Sequence, residues 1–527
     1  MRQDDADGAR QATAAPGSHL PAIELRGISK AFGPVQANKD ISIRVMPGTI
    51  HGIIGENGAG KSTLMSILYG FYKADAGEIF IGGQKTAIPD SQAAIAAGIG
   101  MVFQHFKLVE NFTVLENVIL GAEDGRLLRP SLAKARAALK SLAEEYELNV
   151  DPDAVIEDIG VGQQQRVEIL KALYRQADIL ILDEPTGVLT PPEADHLFRI
   201  LRNLRAEGKT IILITHKLRE IMEITDTVSV MRRGEMTATV KTAETSPEEL
   251  AELMVGRKVL LRVEKTPAVP GKPVLEVEDL RVTDSSGVER LRGVSLNVRA
   301  GEVLGLAGVA GNGQSELLEV LGGMMQATGK VRVNGQPIDL SGPHADGQSR
   351  RNAGIAHVPE DRQRKGLIMD YAAWENSVFG YHRDPAIQRG PLMRNAAILD
   401  HAETQMRRFD VRPPNPRLAA KNFSGGNQQK VVLAREIERG PDLLLIGQPT
   451  RGVDIGAIEF IHQQIIALRD AGKAILLVSV ELDEILALSD RIAVIFDGRI
   501  MGECAADTAS TQELGLMMAG ISSGKAA

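Results

Sequence analysis

The chain has 527 residues, which at roughly 100–200 residues per domain predicts three or four structural units. Its net charge of −8 disfavours a nucleic-acid partner, because domains that bind phosphate backbones usually carry a basic excess. The single cysteine excludes an internal disulfide, and the apolar runs are too short for a membrane-spanning helix, which needs ~20 residues. A globular, multidomain protein is therefore predicted.

The chain begins with a polar stretch, residues 1–21, that lacks the apolar run of a signal peptide and is predicted to be a disordered tail. From residue 22 onward the chain repeats itself. Residues 23–29 correspond to 275–280, residues 55–62 to 308–315, and residues 182–186 to 446–450. Two related halves are predicted at 22–256 and 274–522, with a linker at 257–273 and a second tail at 523–527.

Each half alternates short apolar runs with amphipathic helical patterns, which predicts an α/β fold with parallel strands. The strand-like runs vanish over residues 106–159 and again over residues 374–419. Each half is therefore predicted to carry a helical insertion.

Residues 55–62 match the phosphate-binding pattern GxxxxGK[ST], between a predicted strand and a predicted helix. In such loops the backbone N–H groups and the helix N-terminus approach phosphate oxygens, the lysine reaches the terminal phosphates and the hydroxyl can ligate Mg²⁺. The residues predicted to bind nucleotide here are Gly55, Glu56, Asn57, Gly58, Ala59, Gly60, Lys61, Ser62 and Thr63.

The apolar run that follows residue 178 ends in Asp183 and Glu184, at the edge of a parallel sheet where ligands bind. A lone acid pair at a strand end is commonly a helix cap, but the phosphate loop favours catalysis. We expect Asp183 to hold Mg²⁺ and Glu184 to activate the water that attacks the γ-phosphate. Two further strand ends carry Gln104 and His216, expected near Mg²⁺ and near the γ-phosphate.

The order of these motifs resembles the ATP-binding cassette (ABC) ATPases over residues 23–520. The resemblance implies two tandem P-loop nucleotide-binding domains that use ATP and Mg²⁺. Each would have a parallel-sheet core, an antiparallel β edge and a helical signature subdomain. It also implies that Phe32 lies near the adenine, and that a signature made of Ser424, Gly425 and Gly426 binds ATP held by the opposite cassette.

The second half departs from the family pattern at its catalytic positions. Gln314 replaces the lysine, Gly447 and Gln448 the two acids, Val480 the histidine and Glu360 the glutamine. We therefore predict that this half does not hydrolyse ATP.

If the two cassettes of one chain pair head to tail, the residues that are missing from the family pattern all belong to the same one of the two nucleotide sites. The site built on Lys61 would borrow Ser424 and the D-loop aspartate Asp454, and would be complete. The other site would receive Gly160, where the signature serine is missing, and residues 188–190, a D-loop without aspartate.

Tandem cassettes with a degenerate second half resemble the ATPases of bacterial sugar and nucleoside importers. Residues 32–38 and 101–109 look most like the purine nucleoside type. This resemblance implies two transmembrane permease subunits and an extracytoplasmic solute-binding protein as partners. It also implies peripheral association with the cytoplasmic face of the bacterial inner membrane, while the negative net charge predicts no nucleic-acid partner. It leaves the solute open.

Three other interpretations of a tandem ABC ATPase fit this chain less well. A tandem ABC ATPase acting on ribosomes would resemble chains with a long charged linker and two intact sites, and this chain has neither. A DNA-associated ABC ATPase would need a very long coiled coil. A scaffold that binds nucleotide without turnover is disfavoured because the first half has every catalytic residue.

Overall fold

A computed structural model describes residues 20–33, 35–103, 106–122, 128–187, 189–258, 265–453 and 455–521. Most of both predicted tails lies outside these ranges, as do Gln104, Val188 and Asp454. None of the described helices combines the length and the apolar character that a membrane-spanning segment requires.

The strands and helices up to residue 255 follow in chain order. They are β1 (Ile23–Phe32), β2 (Val35–Val45), β3 (Ile50–Gly55), α1 (Lys61–Leu68), β4 (Ala76–Ile81), β5 (Gln84–Lys85), α2 (Ser91–Ala96), β6 (Ile99–Val102), α3 (Val114–Ile119), α4 (Leu128–Glu145), α5 (Val161–Tyr174), β7 (Ile179–Asp183), α6 (Pro191–Ala206), β8 (Thr210–Ile214), α7 (Leu218–Ile224), β9 (Thr227–Arg232), β10 (Glu235–Lys241) and α8 (Pro247–Val255).

The elements from residue 273 onward repeat this order. They are β11 (Pro273–Thr283), β12 (Glu289–Arg299), β13 (Glu302–Ala307), α9 (Gln314–Leu321), β14 (Thr328–Val333), β15 (Gln336–Pro337), α10 (Gly347–Asn352), β16 (Ile355–Val358), α11 (Ala373–Asn376), β17 (Gln388–Arg389), β18 (Leu392–Met393), α12 (Asn395–Arg408), α13 (Gly425–Ile437), β19 (Leu443–Gly447), α14 (Ile455–Asp470), β20 (Ala474–Ser479), α15 (Leu482–Leu488), β21 (Arg491–Phe496), β22 (Arg499–Ala505) and α16 (Thr511–Met518).

The chain divides into two compact units. The first comprises residues 1–159, 163–184 and 200–244, and the second comprises residues 160–162, 185–199 and 245–527. Each unit contains a four-stranded antiparallel sheet and a six-stranded, mainly parallel sheet, which confirms the predicted α/β class.

The two units share one sheet topology. In the first, β2-β1-β4-β5 form the antiparallel sheet and β10-β9-β3-β8-β7-β6 the larger sheet. In the second, the corresponding orders are β12-β11-β14-β15 and β16-β19-β20-β13-β21-β22. The central strands β7 and β8 are buried along their whole length, as expected of parallel strands covered on both faces.

Apolar side chains bind the two sheets of each unit into one core. In the first unit, Leu25 of β1, Leu64 of α1 and Ile181 of β7 belong to the same buried cluster. In the second unit, Leu275 of β11 and Leu445 of β19 share a corresponding cluster. The packing places the loop before α1 or α9 at the carboxyl edge of the larger sheet.

The predicted helical insertions are present, with one addition. Helices α3 and α4 fill the first, whereas the second contains α11 and α12 together with a two-stranded hairpin, β17–β18. Each strand of that hairpin has two residues, too few for an alternating pattern to reveal.

Corresponding arginine–aspartate pairs show how the repeat has diverged inside its units. Arg469 donates to Asp490 at 2.9 Å and to the Thr266 carbonyl at 2.9 Å, and its side chain is 1% exposed. The equivalent Arg205 donates to Asp226 at 2.9 Å but is 38% exposed. The pair in the second unit is therefore buried and also holds the end of the linker.

Replacing Arg469 with Met should destabilise the second unit by about 3–5 kcal/mol, because the largely buried Asp490 would lose its hydrogen-bonded cation and the Thr266 carbonyl would lose its donor. Arg205→Met is the matched control and should cost at most about 1 kcal/mol, because water screens that pair. Urea unfolding followed by fluorescence of Trp374, the only tryptophan, reports the second unit, and far-UV circular dichroism reports both. Equal losses in the two variants would contradict this account.

Candidate active site

The glycine-rich loop of the first unit wraps around the ammonium of Lys61. This side chain is 6% exposed, and its Nζ donates to the Gly55 carbonyl at 2.6 Å and to the Glu56 carbonyl at 3.1 Å. Burial lowers the pKa of Lys61, while the nearby carboxylates of Glu184 and Asp183 oppose that shift. A buried cation thus lies at the point where the loop enters helix α1.

The loop conformation requires glycine at position 60. Its φ is +96°, and a Cβ built there would lie 2.1 Å from the Ala37 carbonyl oxygen. Space is open at the neighbouring Gly58, where a Cβ would meet nothing within 4 Å. The loop is thus closed against strand β2 on one side and open on the other, as a phosphate cradle must be.

Asp183 is the last residue of β7 and accepts a hydrogen bond from the hydroxyl of Ser62. Burial raises the pKa of Asp183, and the Ser62 bond and the Lys61 charge oppose the rise. A hydroxyl and a carboxylate are hard oxygen ligands of the kind that Mg²⁺ takes, so these two residues fit the predicted metal.

Glu184 follows directly and is held by the neighbouring strand. Its N–H donates to the Ile214 carbonyl at 2.8 Å, its φ is +48°, and its Oε1 lies 2.9 Å from Nδ1 of His216. Burial would raise the pKa of Glu184, but the hydrogen bond to His216 and the charges of His216 and Lys61 outweigh it, so the pKa is lowered. The carboxylate is therefore ionised and oriented, as a proton acceptor must be.

The structure brings five of the predicted residues to one edge of one sheet: Lys61, Ser62, Asp183, Glu184 and His216. Thr63 follows in α1. Phe32, 43% exposed at the end of β1, packs edge to face on Tyr72 with ring centroids 5.2 Å apart. Tyr72 was not predicted, because nothing in its own sequence context marks it.

The signature of the second half forms the start of helix α13. Ser424 precedes Gly425 and Gly426, and its Oγ accepts a hydrogen bond from Nδ2 of Asn427 at 2.8 Å. Because the amide is the donor, the Ser424 hydroxyl keeps its own proton to donate elsewhere. In the first half, Gly160 lies immediately before α5 and has no side chain with which to do so.

The second glycine loop keeps the backbone form but loses the cation. Gly311 and Gly313 have φ of +89° and +106°, close to +82° and +96° at Gly58 and Gly60. Gln314 takes the place of Lys61, and its amide Nε2 donates to the Val309 carbonyl at 2.9 Å. A neutral amide therefore closes the loop that an ammonium closes in the first unit.

The acids of the first unit are also replaced within the same framework. Gln448 has φ of +47° and donates its N–H to the Val478 carbonyl at 2.8 Å, as Glu184 does to Ile214. Its Oε1 accepts from the N–H of Val480 at 3.2 Å. The amide cannot take up a proton as Glu184 can, so this position offers no general base.

One contact in the second unit was not foreseen. Glu360 accepts a hydrogen bond from the Ser315 hydroxyl at 2.5 Å. In the sequence, Glu360 stands at the position of Gln104 and Gly447 at that of Asp183. These two replacements together are the only feature of the sequence that could have indicated the contact between Ser315 and Glu360.

Comparison with known proteins places this geometry in a family. The profile described as ABC transporter matches residues 38–187 and 291–451. The nucleoside import ATP-binding protein NupA of Lactococcus lactis is 48% identical over 94% of this chain and 98% of its own length. The guanosine import ATP-binding protein NupO of Bacillus subtilis is 48% identical, with 94% and 97% covered.

A further relative has a different solute in its name. The glucose import ATP-binding protein TsgD13 of Haloferax volcanii is 44% identical over 95% of this chain and 96% of its own length. All three relatives align along nearly the whole chain, through both glycine loops. The chain therefore belongs to the ABC transporter family, as an ATPase subunit that carries two cassettes in tandem.

Proposed function

We propose that this ATPase hydrolyses ATP at a single site and thereby powers the import of a solute through a membrane permease. The observation that carries the proposal is the contrast between the two glycine loops. In the first unit a buried Lys61 lies beside two carboxylates and Glu184 is bonded to His216. In the second unit Gln314 and Gln448 occupy the positions of Lys61 and Glu184.

Each side chain of the first unit has a distinct part in hydrolysis. Lys61 binds the terminal phosphates, and Glu184 accepts the proton of the attacking water while His216 holds its carboxylate in place. Ser62 and Asp183 would hold Mg²⁺, which when bound neutralises phosphate charge. Gln104 is proposed to reach the same metal, and the backbone of residues 55–60 to cradle the phosphates.

The signature of the second half is proposed to complete this site. The motif that keeps a hydroxyl donor is the one at Ser424, whereas the first half has Gly160 at that position. If Ser424 contacts the ATP bound by Lys61, the replaced catalytic residues of the second half and the missing signature serine at Gly160 all belong to the other site. The support is the sequence pattern of family signatures together with the donor geometry at Ser424.

The transported solute is proposed to be a nucleoside, with a simple sugar as the alternative. Two relatives at 48% identity are named for nucleoside or guanosine import, and one at 44% for glucose import. The chain would bind two permease subunits at the cytoplasmic face of the bacterial inner membrane, and a solute-binding protein would deliver the solute outside. Uptake of labelled guanosine and labelled glucose by cells with and without the chain separates the two.

Lys61→Ala should abolish ATP turnover and solute uptake. The change removes charge-assisted contacts to phosphate that are worth about 1.5–3 kcal/mol each. The matched variant Gln314→Ala should reduce turnover far less, because no charge is lost. ATPase rates of the chain assembled with its permease provide the measurement, and equal damage from both changes would rule out a single competent site.

Glu184→Gln should retain most ATP binding while slowing turnover by about 10²–10⁴-fold. The amide can still lie against His216 but cannot take up the proton of the attacking water. Equilibrium binding of labelled ATP and single-turnover hydrolysis separate the two effects. A near-normal turnover rate would remove Glu184 from the role of base.

Ser424→Ala should slow hydrolysis by about 10²–10³-fold, the typical cost of losing one preorganised donor to developing charge. Gly160→Ser restores the family residue in the first half and should raise turnover little, since Gln314, Gly447 and Gln448 are unchanged. Both variants are assayed with the permease. Parent-like turnover in Ser424→Ala, or a rate approaching double in Gly160→Ser, would overturn the assignment.

A further inference from the structure

The second half is three residues longer than the first in the segment that follows Glu360. Val109 and Ile368 are equivalent, because each donates its N–H to a buried asparagine, one in helix α3 and the other in helix α11. Gln104 lies five positions before Val109, whereas Glu360 lies eight positions before Ile368. The longer segment forms a π-helical turn, Arg362–Gly366. Such turns are rare and are frequently found at functional sites.

The turn is anchored near both of its ends. The carboxylate of Asp361 accepts the backbone N–H groups of Gln363 and Arg364, each at 3.0 Å. Lys365 forms an ion pair with Glu319 of helix α9. The first side chain of the turn therefore projects from a backbone that is held in place.

The guanidinium of Arg362 binds the D-loop of the same unit. Its Nη1 donates to the Arg451 carbonyl at 2.6 Å, and its Nη2 donates to the Gly452 carbonyl at 3.2 Å. Two N–H groups of one planar cation thus bind two consecutive carbonyls, which fixes orientation as well as distance. Within the loop, the Val453 N–H donates to the Thr450 carbonyl at 3.1 Å. The guanidinium joins this turn to a segment outside it.

The same guanidinium packs against the signature. A Cβ built on Gly425 would lie 2.4 Å from Nη2 of Arg362 and 2.6 Å from the Gly452 carbonyl oxygen. Cβ atoms essentially never approach so closely, so only glycine at 425 lets signature, guanidinium and D-loop meet. Gln363 adds a second contact, because its Nε2 donates to Oε1 of Gln428 in helix α13 at 3.1 Å. The turn therefore binds both the D-loop and the signature helix.

The first half lacks the corresponding residues in its sequence. Val161 stands at the position of Gly425, and Val188 stands at the position of Gly452. The segment from 104 to 109 contains no arginine. An arginine that joins D-loop to signature thus accompanies the half whose signature keeps its serine.

We propose that Arg362 is a positioning residue for ATP hydrolysis, which holds the D-loop against the signature so that both meet one ATP in a fixed relation. This role rests on the proposed function, in which Ser424 completes the site built on Lys61. Ser424 is exposed and directly precedes Gly425, so a shift of the segments packed at 425 moves its hydroxyl. Arg362 itself contacts no reacting atom and acts through the hydroxyl of Ser424.

Hydrogen exchange of the full-length chain tests the contact independently of turnover. Arg362→Met removes two charge-assisted bonds, so the N–H groups of residues 451–453 should exchange at least about tenfold faster. Arg364→Met is the matched control, because this arginine belongs to the same turn but its side chain is 87% exposed. It should leave the exchange of the D-loop unchanged. Mass spectrometry of the peptides that cover the D-loop provides the measurement.

Kinetics of the chain assembled with its permease test the positioning role. Arg362→Met should lower kcat by about 10–100-fold, since misplacing a group by about 1 Å can cost about 10²-fold. Labelled ATP should bind with the parental Kd, because the loop of Lys61 is unchanged. Arg362→Lys keeps the charge but cannot bridge two carbonyls, and it should recover part of kcat. A purely structural role predicts instead that ATP binding and the unfolding midpoint fall together with kcat.

A double variant tests whether Arg362 acts through Ser424. In the Ser424→Ala background, Arg362→Met should cost less than it does in the parent, because the group that it positions is already absent. Losses that multiply would overturn the proposal, as would unchanged D-loop exchange in Arg362→Met or equal damage from Arg364→Met. Parental turnover in Ser424→Ala would reject the proposed site and, with it, the role of Arg362. Parental turnover in Arg362→Met beside a damaged Ser424→Ala would reject the positioning role alone.

Discussion

The burial of the Lys61 ammonium is the constraint on which the rest of the first site depends. A charge removed from water is costly unless it is paired and hydrogen-bonded, and here two loop carbonyls and two nearby carboxylates meet that need. In the second unit the lysine is absent, and the acids that balance its charge in the first unit are absent with it. With Gln314 in place of the lysine, the positions of Asp183 and Glu184 are neutral as well. Two acids retained there would have joined the carboxylate of Glu360, which packs against Gly447, with no lysine at position 314 to balance them. The three losses are therefore consistent with one change in charge balance.

The backbone has been conserved while this chemistry diverged. Glu184 and Gln448 share a left-handed φ within one degree, and each donates its N–H to the strand beside it at 2.8 Å. A non-glycine residue in that region carries strain that surrounding structure must impose, and here the next strand imposes it. The framework that aims a carboxylate in one unit thus aims an amide in the other. Catalysis can be removed by exchanging side chains without disturbing the sheet.

Much of the fold and of the first site could be predicted from sequence because the signals are local. Strands β7 and β8 are continuous apolar runs ending in polar residues, and the lysine loop carries its whole pattern within eight residues. The Glu360–Ser315 bond spans 45 residues, and only the packing beside Gly447 shows why the glutamate lies there. From the sequence alone, Gly447 is therefore interpreted only as the loss of the Mg²⁺ ligand that Asp183 is predicted to supply in the first half. The burial of Arg469, by contrast with Arg205, is likewise decided by distant contacts such as Thr266.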